Sequence, residues 1–235
     1  MPTATSRPLL LGHRGVRPVR RFGAYAQTSK LPSENTLAAF DYALTNRCDG
    51  FEFDVRFTRD HRAIVCHDPQ LGGREISAAD YAELGRAGSD PACLEDVLLR
   101  FGTAAYLDIE LKTGGNEERV IAALRGTPPS CGYVVSSFFP EILLRIKQLD
   151  SSVPLGFICD RAEYVNLWTE LPIAVLIPHH KLVTEKLIAA AHRRDVQVFT
   201  WTVNQRRDLV RLSGWGVDGL ISDDPALLSR TFVKS

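Results

Sequence analysis

The chain has 235 residues, enough for one barrel-sized domain or two small ones. Its 45% hydrophobic and 24% charged residues supply a sizeable core and exclude an intrinsically disordered chain. Twenty-eight basic side chains balance 28 acidic ones, so no global charge draws the molecule to nucleic acid or to an anionic membrane surface.

Residues 8–11 form a short apolar run stopped by Gly12-His13-Arg14-Gly15, which predicts a strand that delivers His13 and Arg14 to its C-terminal end. Residues 16–31 carry basic residues, glycine and proline without periodicity. They read as a long rim loop, either a solvated excursion or a basic flap over an anionic ligand. Ser33 is placed to cap a helix starting at Glu34, with Leu37, Phe40 and Leu44 at helical spacing.

Residues 50–57, GFEFDVRF, alternate with the period of a strand. Glu52 and Asp54 therefore share a face opposite Phe51, Phe53, Val55 and Phe57. Two buried carboxylates repel each other and lose hydration, so they need a compensating partner, usually a divalent cation. A turn at residues 59–62 and a short strand at 63–66 follow, presenting His67 and Asp68.

The polar segment from Pro69 to Pro91 holds one weak helix, at 77–84, and a second helix follows at 94–101. Residues 106–112 alternate again and set Asp108, Glu110 and Lys112 on one face. Helices are then expected at 117–124, 140–149, 164–168, 184–193, 206–212 and 225–228, with Thr184 as a cap. Strands are expected between them at 133–136, 153–158, 173–177, 196–203 and 219–222.

Strand and helix thus alternate about eight times with no break in composition. That pattern predicts parallel βαβ units closed into a (β/α)8 TIM barrel, one domain over residues 1–235 with a short insertion after the second strand. A doubly wound open sheet fits less well, because no glycine-rich dinucleotide loop follows the first strand.

In such a barrel, functional groups stand at the C-terminal ends of the strands, where His13, Glu52, Asp54, His67, Glu110 and Lys112 converge. Three carboxylates without a thiol suit a hard cation such as Mg²⁺ or Ca²⁺. Two histidines suit proton transfer near neutral pH, and Arg14 and Lys112 could bind phosphate oxygens. Together these describe hydrolysis of a phosphate ester. The plainer alternatives are a structural ion pair for Glu52 and Asp54, capping histidines, and Lys112 paired with Asp108. Asp68 reads as an orienting or capping residue, His179 and His180 as surface histidines, and His61 and His192 as carrying no function.

GHRG at 12–15, SENT at 33–36, the block from Gly50 to Asp68, LDIELK at 107–112 and WTVN at 201–204 resemble the glycerophosphodiester phosphodiesterase family, in order along nearly the whole chain. The resemblance implies a TIM barrel that cleaves glycerophosphodiesters to glycerol 3-phosphate and an alcohol. It implies His13 and His67 as an acid–base pair, and Glu52, Asp54 and Glu110 as ligands of one divalent cation, Mg²⁺ or Ca²⁺. It also implies Arg14 and Lys112 on the phosphate and Trp201 beside the glycerol. The departures from the family pattern lie at the rim: Ser33 between Pro32 and ENT, the long loop at 16–31, His61 where a turn glycine is common, and the trimmed LGGRE segment. They bear on substrate preference.

Two other readings stand beside this one. A lysophospholipase D would need an apolar groove, for which Phe22 and Tyr25 are the candidates. A barrel that only binds a phosphorylated ligand would have no use for both histidines. The five cysteines (48, 66, 93, 131 and 159) are odd in number, scattered and without a CxxC pair, which predicts reduced thiols. With no apolar run long enough for a signal peptide or a membrane span, a cytoplasmic protein without a membrane anchor is expected, acting on a small molecule.

Overall fold

In the computed structural model, residues 7–18, 31–86 and 90–233 are described. The strand β1 (Leu9–His13) leads through α1 (Leu37–Thr45) to β2 (Gly50–Phe57). An insertion follows: β3 (Ala63–Val65), the small pair β4 (Gln70–Leu71) and β5 (Arg74–Glu75), a 3-10 turn at Ile76–Ala78 and α2 (Tyr81–Arg86). Next come α3 (Leu94–Phe101), β6 (Tyr106–Leu111), α4 (Glu117–Gly126), β7 (Tyr133–Ser137) and α5 (Pro140–Leu149). After β8 (Leu155–Cys159), a 3-10 segment (Val165–Glu170) takes the place of a helix. The chain ends with β9 (Val175–Pro178), α6 (Glu185–His192), β10 (Gln197–Thr200), α7 (Arg206–Trp215), β11 (Gly219–Ser222) and α8 (Pro225–Phe232).

Eight of these strands are parallel neighbours in the order β1, β2, β6, β7, β8, β9, β10, β11, and β1 pairs with both β2 and β11 to close the barrel. β3 runs antiparallel to the last three residues of β2, beyond the point where β1 ends. The expected TIM barrel with its insertion is the fold observed.

The apolar residues divide by which side of the barrel wall they face. Leu11, Val134, Val175, Ile177, Phe199 and Ile221 fill the inside. Phe40, Phe51, Phe53 and Phe101 pack between strands and helices, with Phe40 stacked on Phe51 at 4.2 Å between ring centroids. Phe51 and Phe53 face outward, so Glu52 and Asp54 face inward on β2.

The first predicted helix begins later than expected. Its cap is Thr36, in an extended conformation, whose Oγ1 accepts from the Ala39 amide; Ser33 lies outside the helix. Asn35 has φ 56°, a left-handed geometry that a helix cannot include, and its side chain is directed to Asp54 instead. The strand expected over 196–203 stops at Thr200, because the Val203 amide turns to the Ile221 carbonyl. The expected helix at 77–84 is split into the 3-10 turn and α2, and the β4–β5 pair before it turns on Gly72 and Gly73 at positive φ. Residues 19–30 of the rim loop, with Phe22 and Tyr25, lie outside the described residues. No helix among the described residues is long and apolar enough to cross a membrane.

Candidate active site

His13 is the last residue of β1, held against Glu52 by the β1–β2 register. Its Nδ1 lies 2.6 Å from Asp223 Oδ1, and its Nε2 lies 3.7 Å from Glu52 Oε2. Asp223 directly follows β11 and is held in turn: Asn204 Nδ2 donates to its Oδ2 at 2.6 Å, and the Asp223 amide donates to Asn204 Oδ1 at 2.9 Å. Burial alone would raise the Asp223 carboxyl, but the bond and charge of His13, the Asn204 bond and the Arg17 charge together outweigh this and keep it below the ordinary range.

His67 follows β3, with Nδ1 2.7 Å from Asp68 Oδ1. Asp68, which the sequence offered as an orienting or capping residue, is thus in direct contact with the ring. Burial lowers the His67 imidazole below its ordinary value, although the Asp68 bond pulls the other way.

Three carboxylates stand between the histidines. The β2–β6 register sets Asp54 level with Glu110, and Glu52 level with Asp108. One ligand atom from each of Glu52, Asp54 and Glu110 lies within 4.8 Å of the others. All three are buried, and Glu52 Oε1 and Asp54 Oδ1 make no hydrogen bond to any described residue. Burial, with the charges of Asp54 and Glu110, pushes the Glu52 carboxyl well up. Burial likewise moves Glu110 up to about 7, with Asp54 adding to it. Asp54 goes the other way, because Arg14, Lys112 and the 2.8 Å bond from Asn35 Nδ2 overcome its burial. An all-oxygen group with two unbonded acceptors, buried and mutually repelling, is a donor set of the kind that holds a hard cation.

Arg14 takes a left-handed backbone (φ 51°), which lets its amide donate to Glu52 Oε2 at 2.8 Å. Its guanidinium reaches Glu34 Oε1 at 2.6 Å and lies 3.1 Å from Asp54 Oδ2. Lys112 Nζ bonds Glu110 Oε1 at 2.6 Å and lies 3.4 Å from Asp54 Oδ1. It does not pair with Asp108, which instead accepts from Ser136 Oγ at 2.5 Å. Trp201 is half-buried; its Nε1 donates to the Ile177 carbonyl at 3.1 Å, and its ring meets Phe138 edge-on at 5.6 Å.

These groups line one cavity of about 120 Å³. Seven of the eight residues proposed from the sequence line it; Asp54 does not, and joins the site through its carboxylate oxygen within 4.8 Å of Glu52 and Glu110. Ile158, Ile177 and Ile221 line the side away from the carboxylates. His179 packs against Trp201 at 5.6 Å between ring centroids, next to His180 at the same rim. His61 takes φ 62° in its turn, the geometry a glycine would otherwise supply, and both it and His192 bond to polar side chains outside the cavity.

The residues the sequence reading missed are the supports: Asp223 and Asn204 behind His13, Asn35 behind Asp54, Glu34 behind Arg14, and Ser136 behind Asp108. Three of them were open to a sequence argument. Asp223 stands at the C-terminal end of a barrel strand, and Glu34 and Asn35 lie inside a quoted motif.

The model of the Glycerophosphoryl diester phosphodiesterase family matches residues 13–120 and 129–227. A glycerophosphodiester phosphodiesterase of Caldanaerobacter subterraneus subsp. tengcongensis is 28% identical over 246 residues, covering 94% of this chain and 96% of the relative. A human lysophospholipase D is 25% identical over 267 residues, covering 88% of this chain and 83% of its own length. The structure of an Oleispira antarctica phosphodiesterase in complex with the product sn-glycerol-3-phosphate superposes with a TM-score of 0.79 at 20% identity, covering 97% of this chain and 98% of the other. Because the family match begins at His13 and runs on beyond Asp223, through every strand end that lines the cavity, the chain belongs to the glycerophosphoryl diester phosphodiesterase family and is a phosphoric diester hydrolase.

Proposed function

We propose that the chain hydrolyses glycerophosphodiesters to glycerol 3-phosphate and an alcohol, with one divalent cation, Mg²⁺ or Ca²⁺, held by Glu52, Asp54 and Glu110. When bound, the cation neutralises charge that builds on the phosphoryl oxygens. One observation carries the reading: two buried carboxylate oxygens without a hydrogen bond lie between two histidines, each anchored at Nδ1 by an aspartate.

The aspartates fix the proton chemistry. A carboxylate at Nδ1 calls for a proton there, which leaves Nε2 as the working nitrogen of each ring. His67, lowered by burial, is neutral at pH 7 and suits the base that takes a proton from the attacking oxygen. His13, set between Asp223 and Glu52, suits the donor of a proton to the leaving alcohol. Arg14 and Lys112 are each shared with carboxylates, so they meet the phosphate as fixed charges, not as mobile ones.

A lysophospholipase D activity is the second reading, favoured by the human relative. The experiment is turnover of glycerophosphocholine and 1-acyl lysophosphatidylcholine with Mg²⁺, Ca²⁺ or chelator. Glycerophosphocholine turnover that chelator abolishes and cation restores is expected. His13→Ala and His67→Ala should each lose about 10²-fold or more in kcat. Turnover indifferent to chelator removes the cation from the reading; preference for the acylated substrate installs the alternative.

A further inference from the structure

Asp108 has no part in the proposed chemistry, yet it lines the same cavity. It stands on the inward face of β6, level with Glu52 and two residues before Glu110. At about 3.3 Å per residue it lies roughly 6.6 Å back along the strand from Glu110, toward the floor of the barrel. The residue is 0% exposed. Ser136 on the neighbouring strand donates to its Oδ1, which fixes the carboxyl plane, while Oδ2 makes no hydrogen bond to any described residue.

A buried carboxyl oxygen without a partner is strongly disfavoured unless something supplies one. Lys112 does not, since its ammonium is turned to Glu110 and Asp54. Nor is Asp108 among the three carboxylates that close to within 4.8 Å around a possible cation. The wall away from the carboxylates, formed by Ile158, Ile177, Ile221 and Trp201, offers carbon. A short carbon chain ending in a hydroxyl fits both surfaces: its methylenes meet the isoleucines and its hydroxyl meets Oδ2. A hydroxyl both donates and accepts, so this contact forms whether the carboxyl carries a proton or not.

We infer that Asp108 Oδ2 binds the terminal hydroxyl of the substrate's glycerol unit, the one farthest from phosphorus, and so selects diesters whose glycerol end is unacylated. This rests on the proposed function and deepens it. A 1-acyl lysophospholipid has an ester at that position, with no hydroxyl to offer. The glycerol diester is therefore the preferred substrate of the two.

The test compares kcat/KM for glycerophosphocholine and 2-hydroxypropyl phosphocholine, which lacks only the terminal hydroxyl. The wild type should prefer the former by at least about tenfold, since a site built around a hydroxyl rejects the analogue without it. Asp108→Ala should bring the ratio to within about threefold of unity, while Asp108→Asn, which keeps a hydrogen-bonding atom at the same place, should retain most of it. A wild-type ratio near one, or an equal loss on both substrates in Asp108→Ala, overturns the inference. If Asp108→Ala does not fold, the wild-type ratio and Asp108→Asn decide it. A binding arm separates this from failure of the hydrolase reading. Even without turnover, glycerol 3-phosphate must bind the wild type at least about tenfold more tightly than 2-hydroxypropyl phosphate by calorimetry; equal binding sinks the inference.

Discussion

At the scale of single residues, the two histidines are equipped alike but unequally supported. Asp68 is exposed and adjacent in sequence to His67, so its contribution is screened by water. Asp223 lies 210 residues from His13 in sequence, is mostly buried, and is gripped by Asn204 through both its amide and its carboxylate. A buried acceptor at Nδ1 sets both the tautomer and the ring orientation, so loss of its charge should act on the chemical step more than on binding. Asp223→Asn is expected to lower kcat on the order of 10²-fold with little change in KM, and to shift the ¹⁵N signals of the His13 ring away from the Nδ1–H tautomer. An unchanged ring spectrum with wild-type kcat would show that Asp223 is structural only. The three carboxylates were legible in the sequence because they line alternating strands, and the histidines because each follows a short apolar run. Asp223 was passed over although it directly follows a barrel strand, because SDDP carries no periodicity and its pairing with His13 depends on closure of the barrel between β1 and β11.

At the scale of elements, hydrophobic period located nearly every strand and helix, since the inner and outer faces of the barrel wall differ in what they bury. The errors fell where side chains compete with the backbone. SENT looks like a helix start, but Asn35 spends its side chain on Asp54, so the cap moves to Thr36. Register also depends on space that no periodicity reveals. Gly50 opens β2, where an added Cβ would come within 1.9 Å of the Tyr106 carbonyl oxygen on β6. That obstacle is backbone and cannot rotate away, and the β2–β6 ladder it would disturb aligns Asp54 with Glu110. Gly50→Ala should therefore destabilise by at least about 1–3 kcal/mol in denaturant unfolding and weaken cation binding as well. Gly85, in α2, has nothing within 4 Å of its Cβ position. Gly85→Ala should leave the site alone and add up to about 1 kcal/mol. Equal effects from the two substitutions would show that β2–β6 packing is looser than the structure has it.

At the scale of the whole molecule, the barrel interior is divided: carboxylates on β2 and β6 face isoleucines on β8, β9 and β11. Concentrating acids on one side makes the fold sensitive to pH. Asp108 and Glu110 are pushed up to about 7, mainly by burial, from ordinary values of 3.8 and 4.5. Between those limits the folded chain keeps protons that the unfolded chain has released. Their stabilising effect is thus complete below about pH 4 and is lost as pH rises through 7. At about 1.4 kcal/mol per unit, each taken singly represents on the order of 3–4 kcal/mol, and less than the sum when both act together. Asp54 and Asp223 lie below the ordinary range and act oppositely, losing stability only under acid. A cation on Glu52, Asp54 and Glu110 would favour their ionised forms and offset the alkaline loss by mass action. Chelated protein should therefore show a Tm that falls from pH 5.5 to 8.5, while saturating Mg²⁺ or Ca²⁺ flattens the profile. Glu110→Gln should make the chelated profile shallower, leaving the part due to Asp108, and should weaken the cation's effect. Parallel profiles with and without cation would mean that the ion is not held by these carboxylates, and the acidic half of the barrel would need another partner.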